Sequence, residues 1–328
     1  MANLTTTYLG LKLKNPIIAA SSGLTEHLKS IIELEKNGAA AIVLKSIFEE
    51  EITHEYEALA QEANNMGYNA EHLDYFDYQI REKNITRYIQ LIKEAKAEVS
   101  IPIIASINCF STHEWEYFAL NCEKAGADAL ELNIFILPSD INLESNLVEK
   151  KYMSIIEKIK AKVNIPIALK ISPYFSNLGA MIQKLSKSGI QGLVLFNRFF
   201  SPDFDIDKLE LSSSFVFSNP DDIALSLRWI SIMSKRVDCD LAASTGIHDG
   251  EGVIKQILAG ANAVQLASVL YKNGTTVITD MLKTIEDWMD NKGFKSIDEY
   301  RGLLSQSASS NPSLYERVQF MRYFSGKF

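Results

Sequence analysis

Cysteines and long apolar runs are scarce in this chain of 328 residues, and each scarcity excludes a class of protein. The three cysteines, Cys109, Cys122 and Cys239, form no CxxC pair and are odd in number, so neither a disulfide framework nor a zinc site is indicated. No apolar run approaches the roughly 20 residues of a membrane-spanning helix. The first residues, MANLTTTYLGLKLKNP, also lack the apolar stretch of a signal peptide. We therefore expect a cytoplasmic protein with reduced thiols that is not bound to a membrane.

Positive charge is scarce as well. The chain has 33 Lys and Arg against 41 Asp and Glu, which gives a net charge of −8, and it contains no basic run. Such a surface argues against nucleic acid or an anionic membrane as the main partner. The remaining composition, 47% hydrophobic and 23% charged, is that of a globular domain.

Eight short apolar runs alternate with amphipathic stretches. Runs rich in Val, Ile, Leu and Ala are typical of parallel strands that are buried on both faces. They begin at Pro16, Ala40, Ile101, Ala129, Ile165, Gly192, Asp240 and Asn262. Eight strand–helix units of similar length favour the α/β class and closure into a (β/α)₈ TIM barrel. The alternative, an open doubly wound sheet, usually carries GxGxxG after its first strand, whereas here the first strand ends in AASSGLTEH.

Four helix–strand junctions share one pattern, in which a helix ends in glycine and a strand begins at once. They are NGAAAIVL, AGADALEL, SGIQGLVLF and AGANAVQL. Glycine just past a helix end supplies the left-handed cap conformation. The pattern therefore predicts where four of the helices stop.

Two connections are too long for simple barrel loops. Residues 48–80 follow the second strand and residues 198–220 follow the sixth, so both leave the barrel face that carries active sites. We expect long insertions there that act as lids or binding loops, or that build a subunit interface. The whole chain, residues 1–328, is expected to be one domain, with residues 305–328 as a peripheral tail.

Polar side chains stand where the apolar strands stop. The most informative are two lysines and three asparagines, Lys45, Lys170, Asn108, Asn133 and Asn197. Any one of them could be a satisfied structural side chain, but five that converge on one barrel mouth favour a polar ligand. Amides suit a planar heterocycle that both donates and accepts hydrogen bonds, and a lysine beside it stabilises developing negative charge. This set fits a flavin better than a sugar, and no His, Asp or Glu set at the strand ends indicates a metal.

The last two strands give a second clue. The segment STGIHDGEGVIKQILAGANAVQLAS places small residues after the seventh and eighth strands, with a helix between them. In TIM barrels these two loops commonly bind phosphate through backbone N–H groups. Tight packing of the loops is the plainer explanation. Together with the polar mouth, however, the loops indicate flavin mononucleotide (FMN), a planar ring with a phosphate tail.

At this point the sequence resembles the dihydroorotate dehydrogenase family over nearly the whole chain. It is most similar to the soluble class 1 members, and among these to a bacterial branch called dihydroorotate dehydrogenase-like, which lacks the usual catalytic Cys or Ser. The matching pieces are NPIIAASSG, VLKS, NNMGYN, ELN, ALKISPYFSN, LFN, STGI and LAS. The resemblance implies an FMN-dependent enzyme that oxidises dihydroorotate to orotate in pyrimidine biosynthesis, and often a homodimer.

The resemblance also assigns residues. Lys45 and Lys170 would face the flavin as catalytic residues. The cofactor-binding set, including the strand-end Asn108, would be Ser21, Ser22, Lys45, Ser46, Asn108, Asn133, Lys170, Asn197, Ser218, Thr245, Gly246, Ala267 and Ser268. The substrate-binding set would be Asn65, Met66, Gly67, Tyr68 and Asn133. To it we add Asn197 and Arg198 from their place at the end of the sixth strand, although the family usually has a small residue where Arg198 stands.

The chain departs from the family at the catalytic loop. The family follows ELN with a loop that carries a Cys or Ser, the base that removes a proton from dihydroorotate. Here Phe135, Ile136 and Leu137 stand in that place, and none of them accepts a proton. Ser218 and Asn219 also stand where the family has glycines.

Several hypotheses therefore stay open. The base could come from elsewhere, with Ser139, Asp140, Cys109 and Ser111 as candidates, or the substrate could be another small compound whose carboxylate Arg198 anchors. A flavoprotein without turnover is a third possibility. A Schiff-base aldolase using Lys170 or Lys45 as its nucleophile is a fourth.

Overall fold

The computed structural model describes residues 2–51, 70–109, 112–134, 136–198 and 201–316. Its strands are β1 (Thr6–Tyr8), β2 (Leu11–Leu13), β3 (Ile17–Ala19), β4 (Ala41–Val43), β5 (Ile47–Phe48), β6 (Ile103–Asn108), β7 (Ala129–Asn133), β8 (Ile167–Ile171), β9 (Gly192–Leu195), β10 (Asp203–Asp205), β11 (Glu210–Ser212), β12 (Asp240–Ser244) and β13 (Ala263–Leu266). Its α-helices are α1 (Leu28–Lys36), α2 (Ala70–Glu98), α3 (Thr112–Ala125), α4 (Ser145–Lys160), α5 (Leu178–Ser186), α6 (Ile223–Met233), α7 (Gly250–Ala259), α8 (Ser268–Asn273), α9 (Val277–Lys292) and α10 (Ser313–Glu316). Within these ranges, no helix is both long enough and apolar enough to cross a membrane.

Parallel strands close into a barrel in the order β3, β4, β6, β7, β8, β9, β12 and β13, and β13 then pairs with β3. The short strand β5 continues the line of β4 along β6. Burial on both faces explains the near-continuous apolar runs in the sequence. The predicted (β/α)₈ TIM barrel is confirmed.

The glycines of the four helix–strand junctions adopt the backbone conformation expected of them. Gly38, Gly126, Gly189 and Gly260 have φ angles of 108°, 96°, 85° and 118°. Each turns the chain out of a helix, and a strand follows within a few residues. The prediction from the sequence pattern is confirmed at all four positions.

A hairpin formed by β1 and β2 closes the amino-terminal end of the barrel. Tyr8 and Leu9 of this hairpin are 1% exposed and pack on small strand residues such as Ala129, Ala168 and Ala263. Gly192 is close to the same side chains, because a Cβ built on it would lie 2.4 Å from Leu9 Cδ2. The floor is therefore apolar and filled, and the opposite end is left for a ligand.

Both predicted insertions leave the carboxyl ends of strands. The first runs from β5 to α2, and residues 52–69 of it lie outside the described residues. The second, after β9, contains the antiparallel hairpin of β10 and β11. The apolar side chains on this hairpin and its turn, Phe204, Ile206, Leu209 and Leu211, are exposed in the single chain.

The start of the tail is not peripheral. Ser305 is fully buried and Gln306 is 2% exposed. The Gln306 side chain accepts a hydrogen bond from Arg236 Nη2 at 2.6 Å, which fixes the tail beside α6. Apolarity alone could not reveal this anchor, because the contact is polar.

Candidate active site

A cavity of about 180 Å³ opens at the carboxyl ends of β3, β8, β9, β12 and β13. Nine predicted site residues line it: Ser21, Lys170, Asn197, Arg198, Ser218, Thr245, Gly246, Ala267 and Ser268. Ala20, Ser244, Ile247 and Gln265 complete the lining. Residues from five strands and their loops meet here because the strands are parallel and end on one face.

Lys170 is the buried cation of this cavity. It lies on β8, is 8% exposed, and its Nζ donates a hydrogen bond to Gln265 Oε1 at 2.9 Å. Burial lowers the pKa of Lys170, and the charge of Glu131 opposes that shift. A lysine in this position can stabilise negative charge on a ligand in the cavity.

An amide pair lies next to this lysine. Asn197 Nδ2 donates to Asn133 Oδ1 at 2.6 Å, and Asn133 is in register with Lys170 on the neighbouring strand. The backbone N–H of Asn197 donates to Ile171 O at 2.7 Å, which ties the residue after β9 to β8. The remaining amide donors and acceptors can be offered to a ligand.

The loops after β12 and β13 border the other side of the cavity. Thr245 and Gly246 have φ angles of 78° and 77°. A Cβ on Gly246 would lie 2.0 Å from Ile223 N, so only glycine lets this loop pass the start of α6. The loop after β12 is therefore packed tightly against the start of α6 at the edge of the cavity.

Ser218 is held between these loops by several side chains. Its N–H donates to Ser268 Oγ at 3.0 Å, and its hydroxyl pairs with His248 Nε2 at 3.0 Å. Lys272 Nζ donates to Ser218 O at 2.8 Å. Burial and the positive charge of Lys272 lower the pKa of His248. The region is rich in hydrogen-bond donors, as an anionic phosphate requires.

A chain of serine hydroxyls joins the cavity to the barrel interior. Ser46 Oγ lies 3.1 Å from Ser21 Oγ and 2.7 Å from Ser106 Oγ. The neighbouring Ser22 Oγ is buried and has no partner among the described residues. An orphaned hydroxyl beside the cavity is the kind of group that a ligand would satisfy.

Lys45 lies elsewhere. Its Nζ is 3.6 Å from Glu26 Oε2 and 3.3 Å from Glu51 Oε1, in a cavity of about 380 Å³ between α1 and α2. Asn108 ends β6 opposite Phe48 and is likewise not part of the lining around Lys170. The structure thus places Lys170 in the cavity bordered by the loops after β12 and β13, and it places Lys45 beside two carboxylates.

Comparison with known proteins decides the family. A family model described as dihydroorotate dehydrogenase matches residues 3–289. The chain belongs to the dihydroorotate dehydrogenase family. It is 30% identical over 315 residues to dihydroorotate dehydrogenase B (NAD(+)), catalytic subunit, of Thermoplasma volcanium, covering 92% of this chain and 99% of the relative. It is 26% identical to the Thermoplasma acidophilum protein of that name, at 92% and 99% coverage. It is also 23% identical to the NAD-dependent dihydropyrimidine dehydrogenase subunit PreA of Escherichia coli, at 93% and 77% coverage.

Membership of the dihydroorotate dehydrogenase family confirms the predicted enzyme class. The chain is a flavin-dependent oxidoreductase that acts on CH–CH groups, rather than a Schiff-base aldolase. The chemistry of the lining suits a flavin, since it combines the buried ammonium of Lys170, the amide of Asn197, which is paired with Asn133 outside the lining, and several hydroxyls. Among the described residues, no group of three His, Cys, Asp or Glu could hold a metal ion.

The structure describes three of the four candidates for the missing family base. Burial raises the pKa of Cys109 far above its usual range, and Glu49 adds to the shift, so this thiol stays protonated. Ser139 is exposed in the loop after β7, beside the exposed Asp140, and its N–H is bonded to Leu137 O. Phe135 and Ser111 lie outside the described residues.

Apart from Asn133 and Asn197, which form the amide pair, the predicted substrate residues divide into two groups. Asn65, Met66, Gly67 and Tyr68 lie outside the described residues. Arg198 borders the cavity, where its Nη1 donates to Val216 O at 2.7 Å and its Nε lies 3.9 Å from Asp222 Oδ2. Arg198 is therefore tied to Val216 of the second insertion, and its guanidinium lies beside Asp222.

Two buried polar residues were missed by sequence reasoning. Gln265 lines the cavity, and Glu131 bonds to Gln265. Glu131 and Gln265 lie inside the runs ALELN and AVQL, where every other inner position is apolar. A charged or amide side chain in the middle of a fully buried strand was the signal that could have found them.

Proposed function

We propose that the chain binds FMN in the cavity around Lys170 and oxidises dihydroorotate, or a related small compound, across a CH–CH bond. The observation that carries this proposal is the buried ammonium of Lys170 in a cavity bordered by the loops after β12 and β13. The ring of the cofactor would lie at Lys170 and the amide pair, and its phosphate would lie near Ser218 and Gly246.

In this reaction FMN, when bound, supplies a two-electron acceptor for a hydride from the substrate. Lys170 holds positive charge where negative charge grows on the ring. Asn133 and Asn197 orient planar partners by hydrogen bonds, and their mutual bond of 2.6 Å fixes both amides. The apolar floor, with Tyr8 and Leu9, excludes water from below.

The fate of the substrate proton separates two candidate functions. Dihydroorotate oxidation needs a base, and residues 135–137 are apolar where the family carries one. This departure leaves room for a second candidate, a related dihydropyrimidine or carboxylated substrate, whose oxidation also releases a proton that solvent or a group other than residues 135–137 would have to accept. The similarity to a protein named for dihydropyrimidine oxidation supports a pyrimidine-type ring.

The test begins with the purified protein. We expect a flavin absorption spectrum and release of FMN on denaturation. Dihydroorotate, dihydrouracil and a carboxylate-bearing analogue are then each mixed with the protein without oxygen, and loss of flavin absorbance is followed. Bleaching by one of them identifies the substrate class, and bleaching by none over hours would remove all three.

A matched pair of lysine variants tests the assigned role. Lys170→Met removes the buried charge but keeps an apolar chain of similar length, and we expect at least a tenfold slower bleaching, about 1.4 kcal/mol of transition-state stabilisation. Lys29→Ala, an exposed lysine of α1, is the control. Equal rates in parent, Lys170→Met and Lys29→Ala would refute the role given to Lys170.

We also propose that the enzyme is a cytoplasmic homodimer. The exposed apolar side chains of the hairpin formed by β10 and β11 support a subunit interface, because such patches are unusual on monomers. Sedimentation analysis measures the mass in solution. A monomer at micromolar concentration would contradict the dimer without affecting the proposed chemistry.

A further inference from the structure

A polar layer crosses the barrel interior between the floor and the cavity. Its members Glu131, Lys170 and Gln265 are 1%, 8% and 2% exposed and lie on β7, β8 and β13. The interior of a TIM barrel is normally filled with branched apolar side chains, and the floor below this layer follows that rule. Buried charged groups are rare unless they are paired, so these two ionisable residues need a reason to be here.

Hydrogen bonds link the three side chains in a single direction. Lys170 Nζ donates to Gln265 Oε1 at 2.9 Å, and Gln265 Nε2 donates to Glu131 Oε2 at 2.5 Å. An ammonium has no acceptor, so the amide must turn its oxygen towards Lys170. Its nitrogen then faces Glu131, where an ionised carboxylate is the natural acceptor. The Gln265 amide thus links the two charged groups by one hydrogen bond to each.

The charge of Lys170 depends on its surroundings because the side chain is cut off from water. Burial disfavours the charged form of Lys170, and the nearby negative charge of Glu131 works against that effect. Glu131 does not line the cavity, whereas Lys170 does. Any effect of Glu131 on a ligand in the cavity is therefore indirect and passes through Gln265 and Lys170.

A second observation shows that Glu131 is not simply a satisfied structural group. Its Oε1 is buried and has no hydrogen-bond partner among the described residues, and the same is true of the Tyr8 hydroxyl at the floor. The two groups lie close enough for the charge of Glu131 to act on Tyr8. A carboxylate kept only for packing would be expected to use both of its oxygens.

We propose that Glu131 is a positioning residue that sustains the positive charge of Lys170 through the amide of Gln265, and so sets how strongly the site favours the reduced cofactor. The statement about the cofactor rests on the proposed function. The statement about the charge of Lys170 concerns the protein alone.

The first experiment measures the midpoint potential of FMN bound to Glu131→Gln. This change removes the charge of Glu131 but keeps an oxygen that can accept from Gln265, so a purely structural hydrogen bond would survive. We expect Lys170 to lose its proton and the affinity for reduced FMN to fall about tenfold relative to oxidised FMN, a shift of about 30 mV to lower potential.

The sign of that shift decides the question. If Lys170 kept its charge without Glu131, loss of a nearby negative charge would raise the potential, and a rise would overturn the proposal. An unchanged potential would overturn it as well. Glu114→Gln is the matched control, because Glu114 is a buried carboxylate on α3, outside the barrel interior. We expect this control to leave the potential at the parent value.

The second experiment needs no flavin and covers the case in which a single variant folds poorly. Lys170→Met leaves Glu131 as an unpaired buried charge, so the urea midpoint of the apoprotein should fall. Adding Glu131→Gln removes that charge, and the double variant should unfold at a higher midpoint than Lys170→Met. Additive losses would show that the two residues are uncoupled and would refute the proposal.

The two experiments also separate this inference from the proposed function. If the parent protein bound no flavin, the proposed function would fail, while the urea experiment would still test the coupling of Lys170 and Glu131. If flavin bound but both experiments gave the contrary results, only the role of Glu131 would be lost.

Discussion

The closest backbone approach at the candidate site makes Gly246→Ala a sharp test of the structure. Gly246 has a φ of 77°, and a Cβ there would lie 2.0 Å from Ile223 N and 2.5 Å from Asp222 C. The left-handed backbone costs alanine about 1–2 kcal/mol. Forcing the loop away from α6 adds about 1–3 kcal/mol, the range of overpacking in a filled core. We expect a total loss of about 2–5 kcal/mol of unfolding free energy.

Gly293→Ala is the matched control for this prediction. Gly293 follows α9 with a φ of 81°, and a Cβ there would meet no atom within 4 Å. It carries the backbone cost of about 1–2 kcal/mol without the collision. Urea unfolding of both apoproteins measures the difference, and fluorescence titration measures FMN affinity. We expect weaker FMN binding in Gly246→Ala only.

Equal losses of stability in Gly246→Ala and Gly293→Ala would refute the steric part of the reasoning. Unchanged FMN affinity in a destabilised Gly246→Ala protein would refute the link between this loop and cofactor binding. It would show that the loop after β12 can move without disturbing the bound cofactor, and the phosphate would then have to lie elsewhere.

Two further predictions concern titratable groups near the site. Because the pKa of His248 is lowered from its ordinary 6.5, the unfolded chain binds more protons just below that pH, so stability should fall as pH drops through this window. His248→Asn should reduce the loss of unfolding free energy between pH values of about 7.5 and 5.5, and an unchanged loss would contradict the assignment. Because burial keeps the Cys109 thiol protonated, Cys109→Ala should change the rate of anaerobic flavin reduction by less than about twofold. A loss of a hundredfold or more would instead identify Cys109 as the base.

The barrel could be predicted because each strand–helix unit carries its own local sequence signals, and these signals repeat along the chain. Each strand is a continuous apolar run, and Gly38, Gly126, Gly189 and Gly260 mark where helices give way to strands. The hairpin of β10 and β11 was missed, since its alternating apolar residues Phe204, Ile206, Leu209 and Leu211 are exposed in the single chain. The pattern of hydrophobicity alone does not show which apolar side chains are covered by another protein surface.

Adjacent residues at a strand end were harder to place. Lys45 and Ser46 were both assigned to the ligand, but successive side chains of an extended chain point in opposite directions. Ser46 bonds to Ser21 and Ser106 in the barrel, and Lys45 therefore extends outwards to Glu26 and Glu51. The sequence predicts that Lys45 and Ser46 point in opposite directions, but it does not show which of the two faces the barrel interior.

The hairpin that fills the floor has a consequence for how the chain is made. Because β3 pairs with β13, the barrel can close only after residues up to Leu266 have been synthesised. Until then the edges of β3 and of the latest finished strand are bare, and bare edges invite pairing with other chains. Tyr8 and Leu9 precede every barrel strand in the chain, but they pack in one cluster with residues as late as Ala263 on β13. Ending synthesis before β13 should therefore give an insoluble fragment rather than a smaller barrel.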